Sequence, residues 1–215
     1  MSLLAERNIQ AVIFDMDGTL LDSPQSVERC WDRLAEAMGV DRATAPFKHG
    51  IPSIPTIRAT LPDATEDEVL AWNRVHLALE VEDASASTAI PGVFELLAAL
   101  DATGVPWGIA TSCQRELGNA RHAAAALPRP DVFVFAEDYL RGKPAPDAFL
   151  AAAAQLGVDP ACTIVVEDAP AGVRGGVDAG AYVCAVTSTH PRGELGEAHV
   201  VVDSLTELRL LLLGA

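Results

Sequence analysis

The chain has 215 residues, half of them apolar and about a fifth charged, and a formal net charge of −15. That length holds one substantial core plus a smaller appended unit. So acidic a chain is repelled by nucleic acid and by anionic membrane surfaces, which excludes both as partners. No apolar stretch approaches the ~20 residues of a membrane span. The first residues, Met1 to Arg7, carry an early glutamate and no long apolar region, so they do not read as a signal peptide. Cys30, Cys113, Cys162 and Cys184 are widely spaced, with no C-x-x-C pair. Four reduced thiols in a cytoplasmic protein are the expectation, and no zinc site among them.

Taken in chain order, a first short buried strand is predicted at about 10–15, around the apolar run Ala11-Val12-Ile13-Phe14. Val27, Trp31, Leu34 and Met38 then recur at helical spacing and predict an amphipathic helix over 24–38. Thr65 to Glu68 has the T-x-x-E capping pattern and precedes Val69, Trp72, Val75 and Leu79, again at helical spacing. Between these helices, Pro52 and Pro55 predict a loop or a pair of short turns over 48–55. Residues 24–86 thus read as all-helical.

From Ile90-Pro91-Gly92 onward, helices at 93–100, 116–126, 146–156, 170–179 and 205–213 alternate with strands at 105–111, 131–135, 162–167, 181–186 and 198–202. Such alternation predicts an α/β fold with a doubly wound, mostly parallel sheet. The helical block after the first strand reads as an inserted cap: core at 1–22 and 88–215, cap at 23–87. Asp22-Ser23-Pro24 and the stretch 85–91 are the expected hinges.

Four strand ends or turns carry chemistry. The first strand leads into Phe14-Asp15-Met16-Asp17-Gly18-Thr19-Leu20-Leu21-Asp22-Ser23. In an open α/β sheet, ligands bind at the carboxyl ends of strands, and two like charges held this close ask for a compensating cation or proton. Ile109-Ala110-Thr111-Ser112 ends a second strand with two hydroxyls. Lys143 lies in the constrained turn Gly142-Lys143-Pro144. Ile164-Val165-Val166-Glu167-Asp168-Ala169-Pro170-Ala171-Gly172 ends a third strand with paired carboxylates.

In order and approximate spacing, D-x-D-G-T, T-S, G-K-P and E-D-x-P-A-G resemble the four motifs of the haloacid dehalogenase (HAD) superfamily. The early helical cap is similar to that of the subgroup holding β-phosphoglucomutase, phosphoglycolate phosphatase and small sugar phosphatases. The run Gly104–Ser112 and the loop Lys48-His49-Gly50 look most like bacterial sugar phosphatases and the yeast deoxyglucose-6-phosphate and glycerol phosphatases.

That resemblance implies roles. Asp15 is the expected nucleophile, forming an aspartyl-phosphate, and Asp17 the general acid and base. Asp15, the backbone carbonyl of Asp17, Asp168 and Glu167, directly or through water, are the expected holders of Mg2+. Thr111, Ser112, Lys143 and Gly18 would contact the phosphate, and Lys48 and His49 the substrate from the cap. Lys143 would also pair with Asp15. Arg58 stands open between a substrate contact and a surface charge, Arg115 is placed at the rim, and His76 is taken as structural.

The expected substrate is a small phosphorylated sugar or polyol, and the expected state a monomer or weak dimer. A phosphomutase of the β-phosphoglucomutase type, a phosphoglycolate phosphatase and a non-catalytic binding module remain as alternatives. Against the mutase, no histidine follows the nucleophile motif in Asp22 to Val27, and Ser53 stands near the arginine expected in the cap loop. Dehalogenase and phosphonatase chemistry fit less well: the first needs neither Asp17 nor metal carboxylates, and Lys48 is the only cap lysine for the second.

Overall fold

The structure is a computed structural model that describes residues 2–43, 45 and 53–214. Six parallel strands form one sheet: β1 (Ala11–Phe14), β4 (Trp107–Ala110), β5 (Val132–Val134), β6 (Thr163–Glu167), β7 (Tyr182–Val186) and β8 (Val200–Val202), in the order β5-β4-β1-β6-β7-β8. The strands β1, β4 and β6 are buried along their whole length, because helices cover both faces of the sheet. Their continuous apolar runs are the sequence counterpart of that burial.

Helices α5 (Val93–Thr103) and α9 (Leu205–Leu213) line one face, with α1 (Leu3–Glu6) against α9. Their Leu96, Leu97, Leu100, Leu205 and Leu208 pack with Val12, Phe14, Ile164 and Val166. Helices α7 (Asp147–Leu156) and α8 (Pro170–Asp178) cover the other face, where Phe149, Ala152 and Val173 meet Ile13, Val165 and Val183. The helix α6 (Arg115–Ala124) follows β4.

The inserted helices are α2 (Pro24–Met38), α3 (Ser53–Thr60) and α4 (Glu66–Asp83), which share their own small core of Trp31, Leu34, Ala35, Ile57 and Val69. The capping box at Thr65 forms as its sequence pattern predicts: Thr65 Oγ1 accepts from the Glu68 amide at 3.3 Å, and Glu68 Oε2 accepts from the Thr65 amide at 2.8 Å.

One expectation fails. Pro55 does not belong to a loop but is the third residue of α3 as described. Amides in a first helical turn have no intrahelical acceptor, so a proline there removes no hydrogen bond. Ser53 and Ile54 precede Pro55 in the same helix, and the rest of the expected loop, 48–52, lies outside the described residues. The two chain crossings are more ordered than hinges alone: β2 (Leu21–Asp22) and β3 (Thr88–Ala89) pair antiparallel, Leu21 opposite Ala89 and Asp22 opposite Thr88.

Candidate active site

The sheet order puts β1 between β4 and β6, and the chain leaves the carboxyl ends of these three adjacent strands in opposite directions. This is the crevice where α/β folds bind ligands. Asp15 follows β1 and its amide donates to the Val166 carbonyl at 2.9 Å. Thr111 follows β4, its amide donating to the Val134 carbonyl at 3.0 Å. Glu167 ends β6 and Asp168 follows it. A cavity of about 920 Å3 opens here and is lined by Asp15, Asp17, Gly18, Thr111, Ser112, Lys143, Glu167 and Asp168. Residues from four separate motifs therefore meet in one place. Lys48 and His49 lie outside the described residues.

The centre of the cavity is strongly charged. Lys143 Nζ donates to Asp15 Oδ1, and to Glu167 Oε1 at 2.7 Å. Burial disfavours its charge, but Asp15 and Glu167 outweigh burial and hold the ammonium charged beyond the ordinary lysine range. Glu167 Oε2 accepts from the amides of Asp168 and Ala169 at 2.9 and 3.1 Å. The place of Gly172 is set by this carboxylate: a Cβ there would lie 1.6 Å from Glu167 Oε1. Asp168 accepts from Thr19 Oγ1 at 3.1 Å on one oxygen and from Thr189 Oγ1 on the other.

Asp15, Glu167 and Asp168 can each bring a carboxylate oxygen within 4.8 Å of the others. One ammonium cannot balance three carboxylates. Burial above all, with the Glu167 and Asp168 charges, pushes Asp15 well above the usual carboxylate range against the opposing pull of Lys143. Burial and then the Glu167 charge push Asp168 up to about 7, despite its bonds from Thr189 and Thr19. Oxygen-only donors with surplus negative charge suit a hard divalent cation, so these residues fit a metal ion of that kind. Asp17 does not join this cluster.

Two site expectations change in detail. Gly18 lines the cavity, but its amide donates to the Leu21 carbonyl at 2.7 Å, and no free donor is left for a phosphate. Its contribution is space and conformation: φ is +88°, and a Cβ would lie 2.3 Å from Asp168 Oδ2. Arg115 does not line the cavity, although its neighbour Gln114 does. It pairs with Asp138 at 2.5 Å and lies over the Phe135 ring. Arg58 forms an exposed pair with Glu66 and is a surface charge. His76 does more than fill the insertion: it stacks on Trp31 at 3.9 Å and borders the cavity.

Around Asp17 the sequence reading had Ser23 in the motif and Cys113 as a small residue near the site, but it missed Arg121. Ser23 Oγ donates to Asp17 Oδ1 at 2.6 Å, Arg121 Nη1 donates to the same oxygen at 2.9 Å, and Cys113 Sγ lies 3.0 Å from Oδ2. Cys113 is a half-buried neighbour and no nucleophile: desolvation of its sulfur, with Asp17 beside it, pushes its thiol well above the usual range. Arg121 carries no local sequence signal beyond being an arginine in a helix.

These features define a hydrolase of the α/β type with a carboxylate-centred, metal-ready site beneath a helical insertion. The family model for haloacid dehalogenase-like hydrolases matches residues 9–180, and the chain belongs to that family. It is 40% identical over 197 residues to hexitol phosphatase A of Escherichia coli (strain K12), covering 91% of each chain. It is 34% identical to validoxylamine A 7′-phosphate phosphatase of Streptomyces hygroscopicus subsp. limoneus, covering 93% of this chain and 96% of that one. In fold it is similar to crystalline CbbY of Rhodobacter sphaeroides in complex with phosphate, with a TM-score of 0.80 at 23% identity over 93% of this chain and 96% of that one.

Proposed function

We propose that the chain is a Mg2+-dependent phosphatase of small phosphorylated sugars or polyols, working through an aspartyl-phosphate on Asp15. The observation that carries this reading is the Asp15–Lys143 pair set within the Asp15, Glu167, Asp168 carboxylate cluster at the sheet crevice. Asp15 is buried, and Lys143 holds one of its oxygens, which fixes the direction of the other.

In the first step Asp15 attacks phosphorus, the bond from phosphorus to the ester oxygen breaks, and Asp17 gives its proton to the departing alkoxide. In the second, water attacks the same phosphorus and passes a proton to Asp17. The acyl phosphate bond breaks, and phosphate leaves with Asp15 regenerated. Asp15, Glu167, Asp168 and the carbonyl of Asp17 would hold the Mg2+, which when bound neutralises phosphate charge and relieves the carboxylate repulsion. Lys143 supplies the remaining positive charge, and the hydroxyl of Thr111 and the amide of Ser112 orient the phosphoryl oxygens.

Thr111 Oγ1 already accepts from the Cys113 amide at 3.1 Å, which leaves its own proton to donate. Residues 1–22 and 88–215 form the catalytic core in this reading, and 23–87 the cap that selects the alcohol. Lys48 and His49 are offered as its substrate contacts. The sugar or polyol assignment leans on the names of the two phosphatases above. A cytoplasmic, monomeric or weakly dimeric enzyme without a nucleic-acid partner fits the charge of −15. No helix among the described residues is long and apolar enough to cross a membrane.

Phosphate release over a panel of sugar, polyol and short-acid phosphates tests this, with Asp15→Asn and a chelator as controls. Metal-dependent release that disappears in Asp15→Asn supports it. Conversion of β-glucose 1-phosphate to glucose 6-phosphate without release would replace it with a mutase.

A further inference from the structure

Arg121 is 3% exposed, yet it sits on α6, outside all four motif segments. A buried arginine is held in place by its partners. Here its two ionic partners are carboxylates from distant parts of the chain, and Nη1 also lies 3.5 Å from Cys113 Sγ. Nη1 donates to Asp17 Oδ1 at 2.9 Å, and Nη2 donates to Glu80 Oε1 on α4 at 3.0 Å. Nε is buried without a partner, so no backbone carbonyl shares in fixing the group.

Asp17 is gripped from both sides. Ser23 and Arg121 hold Oδ1, and Cys113 lies against Oδ2. Ser23 is the N-cap residue of α2 but makes no capping bond, because its hydroxyl goes to Asp17 instead. Glu80 in turn lies 3.3 Å from His76 Nδ1, which stacks on Trp31 in the core of the helical insertion. A continuous chain of polar contacts, buried at Arg121 and His76 and half-buried at Asp17 and Glu80, thus runs from Asp17 through Arg121 to the insertion.

We propose that Arg121 is a positioning residue for Asp17: its guanidinium, anchored on Glu80, fixes where the Asp17 carboxyl points and ties that direction to the seating of the insertion on the core. This rests on the phosphatase reading, in which Asp17 protonates the leaving alkoxide. The consequence is specific. A misdirected Asp17 harms departure of a poor leaving group and spares a good one, since a nitrophenolate leaves without a proton.

The test compares an alkyl ester, the best sugar or polyol phosphate of the panel, with 4-nitrophenyl phosphate, in wild type, Arg121→Met, Arg121→Lys and Glu80→Gln. The readout is kcat/KM, which reports the steps up to loss of the leaving group. Arg121→Met is expected to lose on the order of 100-fold on the alkyl ester, the low end for a general acid, and only a few-fold on the nitrophenyl ester. Arg121→Lys keeps the charge but cannot span both carboxylates, and Glu80→Gln loosens the anchor. Both are expected to show the same split with smaller losses, which keeps the test decisive if circular dichroism shows Arg121→Met unfolded.

Equal losses on the two esters, or none, in the folded variants would overturn the positioning role. Undiminished release in Asp15→Asn would instead overturn the phosphatase reading, and the positioning role with it.

Discussion

Acidification from pH 7 to pH 5 should weaken the fold through one residue of the insertion, His76. It is 4% exposed, and its Nε2 is buried with no hydrogen-bond partner. Burial, helped by the nearby Arg121 charge, lowers its pKa from 6.5 to about 4. The folded state therefore holds the neutral ring over a range in which the unfolded chain takes up a proton. Stability from this group is complete above pH 6.5, falls as pH drops below that value, and stops falling near pH 4. A tenfold difference in proton affinity is worth about 1.4 kcal/mol, so the loss from His76 is about 2 kcal/mol at pH 5 and about 3 kcal/mol below pH 4. Glu80, Asp15 and Asp168 move the other way: burial raises their pKa values, and protonation relieves that cost. Wild type alone thus mixes opposing signs. His76→Phe keeps an aromatic ring on Trp31 and removes the titration. Urea unfolding of both proteins, metal-free, at pH 7 and pH 5 isolates the difference. Wild type should lose about 2 kcal/mol more than His76→Phe between the two pH values. The same pH dependence in both proteins would refute the argument that His76 is buried neutral.

Other expectations follow from the same geometry. Gly172→Ala forces Glu167 out of its place, since the added Cβ meets Oε1 at 1.6 Å. Kinetics with thermal unfolding should show activity down by on the order of 100-fold and stability by about 1–3 kcal/mol, the usual cost of overpacking. An unaffected enzyme would mean that Glu167 is not held there. Mg2+ at 100 times its Kd should stabilise the fold by about 2.7 kcal/mol, read as a thermal shift that a chelator reverses and Asp168→Asn abolishes. The affinity should be weaker at pH 6 than at pH 8, because Asp168, raised to about 7, must first lose its proton. Burial pushes Cys30 to about 11 and Cys184 to about 12; Cys113 and Cys162 are both half-buried, and Cys113 is raised as well. A disulfide reagent at pH 8 should therefore modify Cys162 quickly, Cys113 slowly because its thiol is held protonated, and Cys30 and Cys184 only after unfolding. Fast labelling of Cys113 would contradict a thiol held protonated beside Asp17.

The sequence by itself determined the alternating elements, the sheet class and the inserted helical block, because these depend on local periodicity. The capping box at Thr65 is legible for the same reason: both partners lie three residues apart. Asp15, Thr111, Lys143, Glu167 and Asp168 were legible as candidates because each stands at a strand end or turn in a compact motif. The strand order was not legible locally. Only the parallel pairing of β1 with both β4 and β6 brings those separate motifs into one cavity.

The surroundings of Asp17 were decided wholly by the tertiary structure. Arg121 lies 104 residues from Asp17 and 41 from Glu80 along the chain. Nothing in its own neighbourhood distinguishes it from a solvated helical arginine. Its meaning comes from burial, and burial comes from how α4 and α6 pack. A charge taken out of water must find partners wherever the fold places them, and a local pattern of residue types carries no record of those long-range meetings.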